Sequence, residues 1–178
     1  MTTLDSRCLD AFPNWLRSLG DDARALGAAL ERDDASGPAA KRAAAALNYL
    51  FKSLDLIPDG LEDLGFIDDA FVLRAAVAGV PADQLAGQAV LTRLASEAGL
   101  VKEFLGEAYA RLARYVDGLE QSSARGRSVN DILSNPAVRA DFVREVKQWA
   151  DGYAVPSFSR DERNLVKLKS FLLAKLPA

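Results

Sequence analysis

The side chains in this sequence best equipped for chemistry are carboxylates concentrated in one turn. Six of them, Asp55, Asp59, Glu62, Asp63, Asp68 and Asp69, fall within fifteen residues. No basic residue lies among them; Lys52 precedes the segment and Arg74 follows it. Like charges this dense repel unless solvent, helix ends or a cation compensates. Carboxylate oxygens with no soft ligand nearby suit a hard cation, Mg²⁺, Mn²⁺ or Ca²⁺. Asp55, Asp59, Asp68 and Asp69 would converge on one ion if the turn folds back on itself. The alternating Asp-x-Asp-x-Asp-Gly loop of an EF-hand is absent. A reading without any ligand accounts for most of the same residues, and the sequence alone favours it. In that reading Asp59 and Asp68 cap helices, Asp69 meets a helix dipole, and Asp55 bonds turn amides.

Other chemistry is narrowed by what the chain lacks. It contains no histidine, which removes the usual base near neutral pH and excludes Ser-His-Asp and Cys-His catalysis. The single cysteine, Cys8, has only Arg7 as a cationic neighbour in sequence and reads as a structural thiol. With 25 acidic and 22 basic side chains the net charge is −3, a poor balance for binding nucleic acid. Arg125 and Arg127 are candidates for a phosphate contact, but a solvated linker is the plainer reading. Trp15 and Trp149 sit in apolar helical patterns and read as packing residues. No apolar run is long enough to span a membrane, and Asp5 and Asp10 stand where a secretory leader would need a basic and an apolar stretch. The expected location is cytoplasmic.

The pattern Asp55-Leu56-Ile57-Pro58-Asp59, followed by Gly65 and by Asp68-Asp69, resembles the signature of the YkvA-like family, domain of unknown function 1232. The resemblance covers residues 43–80. It implies a helix leading into the acidic turn and a second helix leaving it. The family has no established activity, so the resemblance implies a fold element and no reaction; some members are membrane proteins or carry other domains. After Asp59 members often have an apolar, proline-containing stretch, whereas this chain has Gly60, Glu62 and Asp63.

The elements that must position the turn are helical. Alanine and leucine dominate, β-branched residues are sparse, and no segment alternates with period two. A short helix is expected to open at Phe12-Pro13-Asn14 and end near Gly20, with a second over 21–32 and a turn over 33–37. Pro38 suits the first position of a third helix reaching Leu54, with Leu47, Leu50, Phe51 and Leu54 on one face. Pro58 must end that helix. Asp59 and Glu62 form a capping box, Gly65 ends the short turn in a left-handed conformation, and Asp68 caps a helix over 69–78. Residues 81–119 read as two helices broken near Gly99, or one bent helix, with Val101, Phe104, Leu105, Ala108, Leu112, Tyr115, Val116 and Leu119 as an apolar stripe. Residues 121–128 read as an exposed linker. Asn135-Pro136 begin a helix carrying Val138, Phe142, Val146 and Trp149. Ser159 and Glu162 cap a last helix bearing Leu165, Leu168, Leu172 and Leu176.

The fold expected is all-α, a bundle or irregular array of about seven to nine helices in a single domain over residues 1–178. The function expected is a non-enzymatic scaffold or interaction module, with a protein partner or a second copy as its ligand. No catalytic residue and no organic cofactor site is assigned. Two alternatives stand beside it. One is a divalent-metal-dependent phosphoester hydrolase using the turn carboxylates. The other is a peripheral membrane protein using the last helix with Lys167, Lys169 and Lys175, for which three lysines are few.

Overall fold

A first helix, α1, runs from Thr3 to Leu30 without interruption, through both Pro13 and Gly20. The computed structural model describes residues 2–32, 37–52 and 55–178. The sequence reading of two helices meeting near Gly20 is therefore corrected to one. Thr2 and Asp5 close its N-terminus as a reciprocal capping box. Packing overrides propensity here: Pro13 and Gly20 both lie on the buried side, Gly20 against Ala150.

Helix α2, Pro38–Tyr49, starts with Gly37 at the cap and Pro38 in the first position, as expected. It ends five residues earlier than the sequence suggested; Leu54, like residues 33–36 of the turn expected over 33–37, lies outside the described residues. Helix α3, Ile67–Ala78, leaves the acidic turn and is buried from Ile67 to Val77, on every side. Such a helix belongs at the centre of a bundle. A 3-10 turn over Ala82–Leu85 leads to α4, Ala89–Leu105. The break in this region falls at Gly106, with φ 59°, and Gly99 stays inside α4. Only glycine takes that conformation at little steric cost. Helix α5, Tyr109–Gly118, follows, carrying Leu112 and Val116 inward.

Residues 121–128, read as a linker, contain a small antiparallel hairpin, β1 Ser123–Ala124 and β2 Arg127–Ser128. Arg125 and Gly126 form its two-residue turn with φ of 51° and 78°, the left-handed pair of a type I′ turn. Helix α6, Val129–Ser134, is capped by Ser128, and α7, Pro136–Gly152, by Asn135. The last helix, α8, Glu162–Lys175, is capped by Asp161, so the expected Ser159–Glu162 box is corrected by two residues. Leu165, Leu168, Leu172 and Leu176 are buried, as their spacing predicts. The fold is all-α, with eight α-helices among the described residues.

The core joins these helices around α2 and α3. Phe12 and Trp15 of α1, Phe71 of α3, Phe104 of α4 and Phe158 meet with ring centroids 5.0–6.2 Å apart. Beside this cluster Arg74 is fully buried, its guanidinium 4.1 Å from the Trp15 ring centre.

Candidate cation site

The turn between α2 and α3 is built on Tyr49, the last residue of α2. A tyrosine buried this deeply needs a partner for its hydroxyl. The Tyr49 hydroxyl donates to Asp68 Oδ2 at 2.5 Å and accepts from the Leu56 amide at 2.7 Å. The Ile57 amide donates to the same Asp68 oxygen at 3.2 Å. The Asp55–Asp59 strip is thereby laid across the start of α3. Gly65 closes the turn from the other side. Its amide donates to Leu61 O at 2.8 Å, and a Cβ there would stand 2.1 Å from Asp59 O. Glycine is required by this close approach and not by a left-handed backbone, as the sequence reading had it. The left-handed positions are Asp63, φ 62°, and Phe66, φ 66°.

The C-terminal part of the chain braces these two strained residues. The Asp63 amide donates to Ser157 Oγ at 3.3 Å, and Asn164 Nδ2 donates to Asp63 O at 2.9 Å. Phe66 packs its ring edge-on against Tyr153 and tilted against Trp149.

Asp68 and Asp69 follow as the second and third residues of α3, 0% and 2% exposed. Neither is a cap. Phe66 occupies the cap position, and no side chain caps this helix. The Asp59 side chain accepts no hydrogen bond among the described residues, so the expected Asp59–Glu62 box is also absent. Instead, one oxygen each of Asp59, Asp68 and Asp69 lie within 4.8 Å of one another. Asp59 is exposed at the mouth, and the other two form the floor. Asp68 Oδ1 and Asp69 Oδ2 are buried without a hydrogen-bond partner among the described residues. The structure thus gathers three of the four sequence candidates. Asp55, half-buried, stands beside them with its own Oδ1 unpartnered.

Residues 41–75 match the model of a family described as Protein of unknown function (DUF1232). The resemblance read from the Asp-Leu-Ile-Pro-Asp pattern is borne out over this segment, which takes in most of α2, the turn and most of α3. Compared with curated proteins and with solved structures, the chain has no significant match.

The electrostatics of the segment follow from burial. Desolvation, reinforced by the neighbouring carboxylates Asp68, Asp59 and Asp55, holds Asp69 well above the ordinary carboxylate range. Desolvation also raises Asp68, against the opposing hydrogen bonds from Tyr49 and the Ile57 amide. Asp55 is pushed up to about 7, by burial first and then by Asp59 and Asp68, with Lys52 pulling the other way. Asp59 is raised by burial alone. Around them the Tyr115 hydroxyl is pushed up to about 12 by burial and the same carboxylates.

Three oxygens so placed fit a hard divalent ion. Opposite oxygens around Ca²⁺ stand roughly 4.6–5.2 Å apart and around Mg²⁺ roughly 4.2 Å, so the observed spread needs little or no contraction. The sequence reading missed Tyr49 as the residue that holds Asp68. A tyrosine in a run of small buried side chains was the available signal. Cys8 is buried, and its thiol is pushed up to about 12, so it matches the structural thiol expected.

Proposed function

We propose that this chain is a divalent-cation-binding helical protein. Its ion is held by Asp59, Asp68 and Asp69, with Asp55 as a neighbouring carboxylate. The observation that carries the reading is that Asp68 and Asp69, each holding a buried oxygen without a partner among the described residues, each bring a carboxylate oxygen within 4.8 Å of the other and of Asp59. An uncompensated buried carboxylate costs several kcal/mol. Among the described residues no lysine or arginine forms an ion pair with any of these three aspartates. A cation would supply the missing charge and take up the free lone pairs in one step.

The reading keeps the scaffold expectation, because the ion would tie the end of α2 to the start of α3 through the Tyr49–Asp68 bond. It leaves the membrane alternative without support: the apolar face of α8 is packed on protein, and no helix among the described residues is long and apolar enough to cross a membrane.

Titration of the full chain with Mn²⁺, followed by electron paramagnetic resonance, tests the reading. One saturable site is expected, lost in Asp69→Asn and competed by Ca²⁺ or Mg²⁺. Absence of saturable binding at millimolar Mn²⁺ rejects it.

A further inference from the structure

A cavity of about 620 Å³ opens beside the acidic turn, between the end of α2 and the hairpin. Its lining includes Phe51, Lys52, Asp59, Ser123 and Arg125. Asp59 therefore belongs both to the cation site and to the wall of this cavity. The volume lies within the roughly 300–1,000 Å³ range of small-molecule sites.

Two cationic side chains in this wall have donors to spare. Arg125 stands over the Phe51 ring at 4.8 Å and forms no ion pair among the described residues. Its neighbour Arg127, by contrast, is bound to Glu145 at 2.6 Å. Lys52 Nζ reaches the Tyr115 hydroxyl at 3.5 Å and likewise has no carboxylate within ion-pair distance. Arg125 also sits at a left-handed position, φ 51°, where Asn, Asp or Gly would be the unstrained choice. An arginine kept there at a cost in backbone energy, with a free guanidinium over an aromatic wall, suits recognition of an anion.

We propose that this cavity binds a small organic phosphate. In this arrangement one phosphoryl oxygen completes the coordination of the ion at Asp59, and others accept from Lys52 and Arg125. The inference rests on the cation reading above. A phosphoryl group is favoured over a carboxylate because it has enough oxygens to serve a hard ion, an ammonium and a guanidinium together. The apolar wall at Phe51 and the remaining volume take the organic part.

Calorimetric titration of the full chain with phenyl phosphate, in Mg²⁺ and in chelator, tests this. Binding of one equivalent is expected in Mg²⁺, weakened at least about tenfold in chelator and about tenfold in each of Lys52→Met and Arg125→Gly. Both variants should still bind one equivalent of Mn²⁺, no more weakly than the wild type, because the Lys52 charge acts on Asp55 and its loss cannot weaken the ion. Arg125→Gly should also raise the melting temperature, since glycine relieves the left-handed strain, so its loss of ligand cannot come from unfolding. Mn²⁺ binding without phenyl phosphate binding overturns this inference and leaves the cation reading standing. Equal affinity in wild type and both variants overturns it as well. Failure to bind Mn²⁺ overturns both.

Discussion

Asp69 is the residue at which the argument for a cation is strongest, and Gly65 is the one that makes it geometrically possible. A methyl group at Gly65 would collide with backbone at Asp59 O and not with a flexible side-chain end, so the turn itself must move. Gly65→Ala is expected to cost about 1–3 kcal/mol in stability, as overpacking does. It should also weaken Mn²⁺ binding, because the shift displaces Asp59; a fall in melting temperature with unchanged Mn²⁺ affinity would contradict this placement. Protonation gives a second test. Asp55 is raised to about 7, and Asp68 and Asp69 are raised too, so the ion-free native state holds more protons than the unfolded chain between their ordinary and native values. That contribution to stability is complete below the unfolded values and disappears as pH rises through the native ones. In chelator the melting temperature should fall from about pH 5 to about pH 8, and millimolar Ca²⁺ should reduce or reverse the fall because it binds the ionised forms. A flat profile in chelator would show that the carboxylates are not strained by their burial. The candidate carboxylates were legible in the sequence because they are all local to one turn. Their burial was not, because it depends on how the chain packs around the turn: the Tyr49 hydroxyl holds Asp68, and Tyr115 and Tyr153, distant in sequence, come close enough to feel the same carboxylates. Local rules therefore assigned Asp59 and Asp68 to caps, which is what short polar residues beside a proline and a glycine ordinarily do.

At the level of elements, the amphipathic stripes of α4, α5, α7 and α8 were readable, while punctuation misled. Pro13, Gly20 and Gly99 all lie inside helices, and the break expected near Gly99 falls at Gly106. Helix-breaking residues act through local energies of about 1–3 kcal/mol, which the packing of a long helix can exceed. The hairpin was unreadable for the opposite reason: Arg-Gly is not a usual type I′ pair, and the strands are two residues each. The least expected link between elements is that of α8 with the acidic turn. Asn164, near the start of α8, donates to Asp63 O at 2.9 Å and to Ser159 O at 3.2 Å. Asp63 is left-handed and needs such a restraint. Asn164→Ala should cost about 1–3 kcal/mol, the penalty for leaving buried acceptors unmet. Hydrogen exchange should then quicken over residues 58–66 while the rest of α8 stays protected. Uniform quickening across α8 would mean the asparagine serves only its own helix.

Over the whole molecule, the core is tied together by a buried charge network that the sequence showed only as an arginine interrupting an apolar run. Arg74 of α3 is 0% exposed and binds Glu97 of α4 at 2.9 Å and Asp22 of α1 at 3.5 Å. Asp22, itself buried, is reached by Arg93 at 2.5 Å, and its other oxygen accepts from Ser18 at 2.9 Å. Burial lowers Arg74 to about 10, against the pull of Glu97 and Asp22. Three helices thus meet through one guanidinium, with the Trp15 face beneath it and Ala70 O accepting from it at 3.0 Å. Removing one partner of such a network leaves the others buried and short of charge, a loss of about 3–5 kcal/mol. Arg74→Met should fall in that range by urea denaturation. Arg74→Lys should recover only part of it, because a lysine has no planar fork to serve Glu97, Asp22 and the indole together. Asp22→Asn alone should cost less, since Arg74 and Arg93 would keep Glu97. In the double variant Arg74→Met/Asp22→Asn the two costs should sum to more than the measured total, because the uncompensated charge is gone. Strict additivity of the two would show that Arg74 contributes by packing on Trp15 and not by holding Asp22.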